Sequence, residues 1–489
     1  MADTLDDLLR SPEFGKAIPQ VQESVLRKFV AAQPDDCLAW MALLRLLARH
    51  ESWRELARLG MVAARRFPGE PNAWYLAATG LANIPDINQA LATLARGGAT
   101  LDPFLPAHHL AGDLLLAADP ARAAGLFRGL LQHNRDDLRA RLGAASAESL
   151  LHGRRGADVV FFQPVTWHVS IQEPIFHELT SRGVGCAMTS QTWLIPTLRP
   201  KVVVVSDVPR DAIRRIRHSL PATRIVNTRH GLGDKNYAYH ASTIVDYVCA
   251  SSEQVARTQI HSGLIDPAAV WVTGFPQMDD LFRERGRPSL HRSGSPKHIL
   301  FAPTFTRDLN SGELIGEDPV AALRGDRREW HVTVRPHPNM INSHPGLLGA
   351  WQHSMKAAMN VTLDLNFDRS PAELLCSADL LVSDVSSMAL QFLALDRPIV
   401  CLMQDDRAAR SPFFAEDSYE LRLTRAALKV ARKEDLAEAV CRSIESGQPD
   451  SVAVERRALG NELFGDLRDG GAAVRVARKI EALLDGAAS

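Results

Sequence analysis

The sequence predicts an α/β protein in which an all-helical repeat segment precedes two doubly wound lobes. Three observations carry this. The first 150 residues repeat with a period of 34. Two series of short β-branched runs, starting near 157 and 298, alternate with amphipathic stretches. Polar residues gather where those runs end. At 489 residues the chain exceeds one hydrophobic core, so two or three domains are expected. We place a helical repeat domain at 1–150, a first α/β lobe at 151–290 and a second α/β lobe at 291–489. A formal net charge of −1 gives no global basic field to recruit nucleic acid.

In the repeat segment Trp40 recurs as Trp74, and the register continues at His108 and Leu142. Four residues on stand Leu44, Ala78, Gly112 and Ser146, mostly small, and Pro34 recurs as Pro68 before Asp102 and Asp136. An aromatic, small residues and a turn proline at this period resemble the tetratricopeptide repeat, a stacked helix–turn–helix pair. About three to three and a half copies fit; an irregular helical bundle is the alternative. Such a module implies a protein partner or self-association.

The first lobe begins with the runs Asp158–Val165, Gly185–Thr189, Lys201–Ser206, Arg224–Thr228, Tyr247–Ala250 and Val270–Thr273. Near-continuous apolar strands separated by helices indicate a parallel sheet covered on both faces, with ligands beyond the strands' carboxyl ends. After the fourth run comes Arg229-His230-Gly231-Leu232-Gly233-Asp234-Lys235. His230 at a strand tip can act as a general base near neutral pH, or simply fill a turn. Gly231 permits close backbone approach, and Lys235 offers a cation to a phosphate. Gly274 opens a turn into a helix after the sixth run.

The stretch from Arg283 to Pro296 reads as a linker. The second series is Ile299–Ala302, His331–Val334, Val361–Leu365, Leu380–Val382 and Ile399–Leu402. Its first run leads to Pro303-Thr304, and its second to Arg335-Pro336-His337-Pro338, where flanking prolines stiffen the backbone that carries His337. The fourth leads to Ser383-Asp384-Val385-Ser386-Ser387 and then a helix. Strand, polar turn and helix aim free N–H groups at one place, which suits a phosphate; Ser386 and Ser387 add hydroxyls, and Asp384 can orient them. An ordinary serine cap is the plainer reading.

Taken together and in order, His230-Gly231, Gly274-x-Pro276-x-x-Asp279, Ala302-Pro303-Thr304, Arg335-Pro336-His337-Pro338 and Ser383-Asp384-Val385-Ser386-Ser387 resemble the CDP-glycerol glycerophosphotransferase family. The resemblance implies two Rossmann-like lobes of the GT-B type. It also implies transfer of a polyol phosphate from a CDP-alcohol to an acceptor hydroxyl in cell-surface polymer synthesis. Carried over residue by residue, His230 is the base. His337, Ser386 and Ser387 hold the donor diphosphate, with Arg335, Asp384 and Thr304 in support; Gly231, Lys235 and Gly274 are candidate substrate contacts. Leu232 stands where the family commonly has Thr, and Gln391 where it commonly has an acid. Two alternatives share the scaffold: sugar transfer from a UDP-, GDP- or CMP-sugar, and a non-catalytic repeat scaffold.

The six cysteines are scattered, with no C-x-x-C pair, so neither disulfides nor zinc are expected. No cofactor is expected beyond the nucleotide-activated donor. No carboxylate cluster resembles a Mg²⁺ site, and Asp405-Asp406 reads as a solvated loop. No run of ~18 apolar residues occurs, and the acidic N-terminus has no apolar leader. A cytoplasmic location follows as the expectation, with peripheral membrane association left open.

Overall fold

The computed structural model describes residues 14, 18–102, 104–152, 157–165, 168–234, 242–285, 296–306, 309–367, 370–404, 414–415, 417–444 and 450–486. Lys235 and Asp405-Asp406 lie outside them. The chain forms two compact units: 1–160 with 183–200, and 161–182 with 201–489.

The first unit is a helical repeat of α1 (Pro19–Ala32), α2 (Cys37–Arg49), α3 (Trp53–Arg66), α4 (Pro71–Asn83), α5 (Ile87–Gly97), α6 (Leu105–Ala118), α7 (Pro120–His133) and α8 (Leu138–His152). Helices start where short acids satisfy orphan N–H groups: Asp36, Asp86 and Asp119 cap α2, α5 and α7, while Glu70 caps α4 ahead of Pro71. The 34-residue register has a chemical basis. The Trp40 indole N–H donates to the Pro34 carbonyl at 3.0 Å, and Trp74 repeats this bond to Pro68 at 3.1 Å. His108 makes the same bond to Asp102 at 2.7 Å. The third copy therefore keeps the donor although it has lost the indole. Glycine allows close helix pairing: a Cβ on Gly80 would lie 2.5 Å from the Ala57 nitrogen of α3.

The last helix of the repeat, α8, also covers strand β2 (Cys186–Thr189). Ser146 and Ser149 of α8 accept from the backbone N–H groups of Met188 and Cys186, at 2.9 and 2.8 Å. Side chains of a helix thus satisfy donors that an edge strand would leave unpaired.

The remaining strands are β1 (Val159–Phe162), β3 (Val202–Val205), β4 (Arg224–Asn227), β5 (Tyr247–Ala250), β6 (Val270–Val272), β7 (His298–Ala302), β8 (His331–Val334), β9 (Val361–Leu363), β10 (Leu380–Ser383), β11 (Ile399–Leu402) and β12 (Leu428–Val430). They form two six-stranded sheets, ordered β2-β1-β3-β4-β5-β6 and β12-β11-β10-β7-β8-β9. Pairing is parallel, as between β3 and β4 and between β7 and β10. Strands such as Val202–Val205 are buried at every position, as expected of sheets covered on both faces. The strand order reverses between β1 and β3 in one sheet and between β7 and β10 in the other. Those reversals open the crevices in which α/β sheets hold ligands.

The four helices that matter below are α9 (Val169–Ser181), α10 (Ser387–Phe392), α11 (Tyr419–Leu423) and α12 (Ala472–Leu484). α12 packs back against α9. Asp279 fixes its start by accepting from the N–H groups of Ala472 and Ala473, at 2.9 and 2.8 Å.

Candidate active site

Loops from the carboxyl ends of both sheets line one cleft. The loop after β4 contributes His230, Gly231 and Gly233; the loop after β7, Thr304 and Phe305; the loop after β8, Arg335 and His337; the loop after β10, Ser386 and Ser387. His168, Ser170, Gln277, Gln391 and Glu420 line it as well.

His230 is partly exposed and held from behind. Its Nδ1 lies 2.6 Å from Asp207 Oδ2, and its backbone N–H donates to the same oxygen at 2.9 Å. Asp207 also accepts from Arg229 Nε at 3.0 Å and Asn227 Nδ2 at 2.8 Å. Burial alone would raise its pKa. The Arg229 guanidinium, with His230 and Asn227, instead holds this carboxyl far below the usual carboxylate range. An ionised carboxylate at Nδ1 fixes the proton there, so neutral His230 turns a lone pair on Nε2 outward. Asp207 and Arg229 both have positive φ, +49° and +62°, a conformation that non-glycine residues adopt at a cost of about 1–3 kcal/mol each. The His168 ring stacks on His230, with centroids 5.1 Å apart and planes 24° apart. Burial, together with the His230 charge, pushes the His168 imidazole down to about 4, so His168 stays neutral near pH 7.

His337 is set the other way. The Asn339 backbone N–H donates to its Nδ1 at 3.1 Å, so the neutral ring carries its proton on Nε2 and is a donor. Its ring lies 4.5 Å from that of Phe305. Arg335 is buried, and its guanidinium pairs with Asp364 and donates to the Asn366 carbonyl at 3.1 Å. Its charge is thereby offset by a carboxylate beside the cleft.

Asp384 does not line the cleft. It is 1% exposed and accepts from the N–H of Thr304 at 2.9 Å and from the N–H and hydroxyl of Ser311 at 2.9 and 2.8 Å. It binds the loop after β7 to the loop after β10 across the strand-order reversal, and so fixes where Thr304, Ser386 and Ser387 stand. The Ser386 hydroxyl bonds to Ser383 at 2.8 Å and caps α10, while Ser387 is exposed to the cleft. Gly274 lines a smaller cavity beside Tyr419 and Gln259. With φ at +85° and a Cβ position only 3.0 Å from Ala472, it seats α12. Among the described residues, no three His, Cys, Asp or Glu side chains are grouped as a metal's ligands would be.

The structure therefore gathers His230, Gly231, His337, Arg335, Thr304, Ser386 and Ser387 in one cleft, with Asp384 one layer behind and Gly274 elsewhere. Asp207, which holds His230, and His168 and Glu420, which line the cleft, are residues that the sequence does not single out. Asp207 gives a faint signal, being the acidic residue two positions past the carboxyl end of Val202–Val205. A chain of amides also joins the two lobes: Gln391 donates to Gln277 at 2.8 Å, and Gln277 to the Ser170 hydroxyl at 2.7 Å.

The sequence profile of CDP-Glycerol:Poly(glycerophosphate) glycerophosphotransferase matches residues 166–482. Among solved structures, a variant of the wall teichoic acid polymerase TagF is 14% identical, covering 74% of this chain and 98% of its own, with a TM-score of 0.51. Unsubstituted TagF gives 14%, the same coverage and 0.49. UDP-GlcNAc 2-epimerase from Neisseria meningitidis gives 15%, with 66% and 98% covered, and 0.43. No curated protein sequence matches the chain. The likeness to the TagF variant shows that the two sheets form a GT-B fold.

Proposed function

The chain belongs to the CDP-Glycerol:Poly(glycerophosphate) glycerophosphotransferase family, and on that premise we propose that it transfers glycerol phosphate from CDP-glycerol to an acceptor hydroxyl of a teichoic-acid-like polymer. One observation carries the residue roles. Two histidines line the same cleft with opposite proton arrangements, His230 presenting an acceptor nitrogen and His337 a donor.

His230 Nε2 takes the proton of the acceptor hydroxyl as its oxygen attacks the glycerol-bearing phosphorus. A new P–O bond forms there, the bond to the bridging oxygen breaks, and CMP leaves with that electron pair. Negative charge grows on the bridging and non-bridging oxygens. His337 Nε2–H and the Ser387 hydroxyl offset it through preorganised hydrogen bonds, while Ser386, whose hydroxyl proton goes to Ser383, holds the start of α10 in place. Because Arg335 is already paired with Asp364, neutral donors carry most of this work. We read the repeats of the first unit as tetratricopeptide-like and as the docking site for a protein partner or a second copy. Among the described residues no helix is long and apolar enough to cross a membrane; contact with a membrane surface belongs to the same proposal.

The test is product identity. Purified protein given CDP-glycerol and a poly(glycerophosphate) acceptor should release CMP and lengthen the acceptor. His230→Ala and His337→Ala should each lower turnover by ~10²–10⁴-fold, with the circular dichroism spectrum unchanged. Release of UDP from a UDP-sugar, with CDP-glycerol inert, would replace this reading with sugar transfer.

A further inference from the structure

Helix α10 turns two residues, one turn apart, toward the other lobe. Ser387 opens the helix and lines the cleft, and a Cβ on Gly231 of the His230 loop would lie 3.7 Å from Ser387 Cβ. Gln391 stands four residues on, and so on the same side of the helix. It is 4% exposed, and its Oε1 has no hydrogen-bond partner among the described residues. The bond from its Nε2–H to Gln277 Oε1, at 2.8 Å, therefore orients the amide. Gln277 belongs to the first lobe, in the turn after β6, and donates in its turn to the Ser170 hydroxyl at 2.7 Å. Ser170 stands in the first turn of α9, two residues beyond His168, whose ring stacks on His230. One line of contacts thus runs from the helix that carries Ser387 to the ring of His230.

We propose that Gln277 is a positioning residue: through its two hydrogen bonds it sets α10, and with it Ser387, in register with His230. This rests on the transferase reading, which supplies the base and the donor phosphate as the two things to be aligned. His230 places the acceptor oxygen from one lobe, and Ser387 and His337 place the phosphorus from the other. A misplacement of about 1 Å between reacting atoms costs on the order of 10²-fold in rate. A link across the cleft therefore acts on turnover without touching either substrate. A primary amide suits it, since it donates and accepts at once and, unlike a carboxylate, does not repel a diphosphate. Other contacts join the lobes and remain when this link is cut. Asp279 holds the start of α12, and the Ser251 hydroxyl donates to the Leu463 carbonyl at 2.7 Å. Where α11 meets Gly233, the Glu420 carboxyl fills the space of a Cβ and the Tyr419 N–H donates to Asp234 at 2.7 Å. Those contacts fix the His230 loop and the terminal helices; the amide chain fixes α10.

Gln277→Met keeps the length of the side chain and removes both bonds. In the CMP-release assay it should lower kcat by ~10–100-fold. The Kd of CDP-glycerol, measured by calorimetry without acceptor, should stay within about twofold of the parent's, and the pH–rate profile should not shift, because the His230–Asp207 pair is intact. Gln277→Met combined with Gln391→Met should lose no more than Gln277→Met alone, as expected of residues that act as one unit. A rise in the acceptor KM with kcat unchanged would make Gln277 an acceptor contact, and a fall in donor affinity matching that in kcat would make its role structural; either overturns the proposal, as does an additive double variant. Amide hydrogen exchange tests the link without turnover. In Gln277→Met, exchange should quicken in α9 and α10 and stay as in the parent at Ala472 and Ala473, which Asp279 still holds. Unaltered exchange in α9 and α10 overturns it. If no donor is turned over, the transferase reading fails while exchange still decides whether Gln277 ties the two helices.

Discussion

Asp207 decides what kind of histidine His230 is. Replacing it with Asn presents an amide donor to Nδ1, which moves the imidazole proton to Nε2 and turns the base into a donor. Asp207→Asn is expected to lower kcat by ~10²–10⁴-fold with KM little changed, since the group acts on proton transfer and not on donor binding. Steady-state kinetics of CMP release check this; a loss below about fivefold would leave the dyad without a catalytic role. His168 gives a second test at this scale. A histidine held neutral by burial binds its proton more weakly when folded than when unfolded. Its contribution to stability is therefore full above 6.5 and is lost as pH falls toward about 4. The loss is on the order of 2–3 kcal/mol. Asp207 adds almost nothing between pH 7.5 and 5, because its carboxyl takes up a proton only near 3.8 when unfolded and further into acid when folded. Urea midpoints at pH 7.5 and 5 should separate for the parent chain and much less for His168→Leu; equal separation would show that His168 does not titrate there.

At the scale of elements, the helical repeat depends on backbone approach as much as on side-chain burial. Gly80→Ala removes a helix-weakening glycine, a gain of about 0.5–1 kcal/mol. Its new methyl would lie 2.5 Å from backbone of the neighbouring helix, which cannot yield as a side-chain tip can. Overpacking costs about 1–3 kcal/mol, so the net effect is destabilising. A chemical-denaturation midpoint higher than the parent's would contradict this. Elements were also the most legible feature of the sequence. Tyr247–Ala250, His331–Val334 and Ile399–Leu402 stand as strands at the limits their apolar runs suggest. Leu428–Val430 escaped notice because three alternating residues at a sheet edge produce almost no periodicity. The cleft was legible where a motif sits on its own strand tip, as His230 and His337 do. It was illegible where function depends on a neighbouring strand. Asp207 looks like part of a turn until β3 lies beside β4. Glu420 looks like a helical surface acid until α11 meets Gly233. Linear spacing does not encode that adjacency; packing creates it.

For the whole molecule, the repeat helices are more than an appendage, because the last of them covers strand β2. A fragment beginning at residue 157 would retain the matched segment 166–482 but lose α8. The N–H groups of Cys186 and Met188, both on buried residues, would lose their seryl acceptors. With water in place of the serines, each lost bond costs a net of about 0.5–1.5 kcal/mol, on top of the apolar cover that α8 supplies, out of the roughly 5–15 kcal/mol that keeps a domain folded. The uncovered strand would also become a template for edge pairing. The fragment 157–489 is therefore expected to associate in sedimentation and to melt well below the intact chain. Ser146→Ala with Ser149→Ala in the full chain separates this cause from the loss of the helix itself. The hydroxyls go but the cover remains, so the midpoint should fall by the hydrogen-bond contribution alone while the protein stays monomeric. A monomeric fragment melting with the parent would mean that β2 needs no cover. An unmoved midpoint in the double serine variant would mean that the two hydroxyls contribute nothing to it.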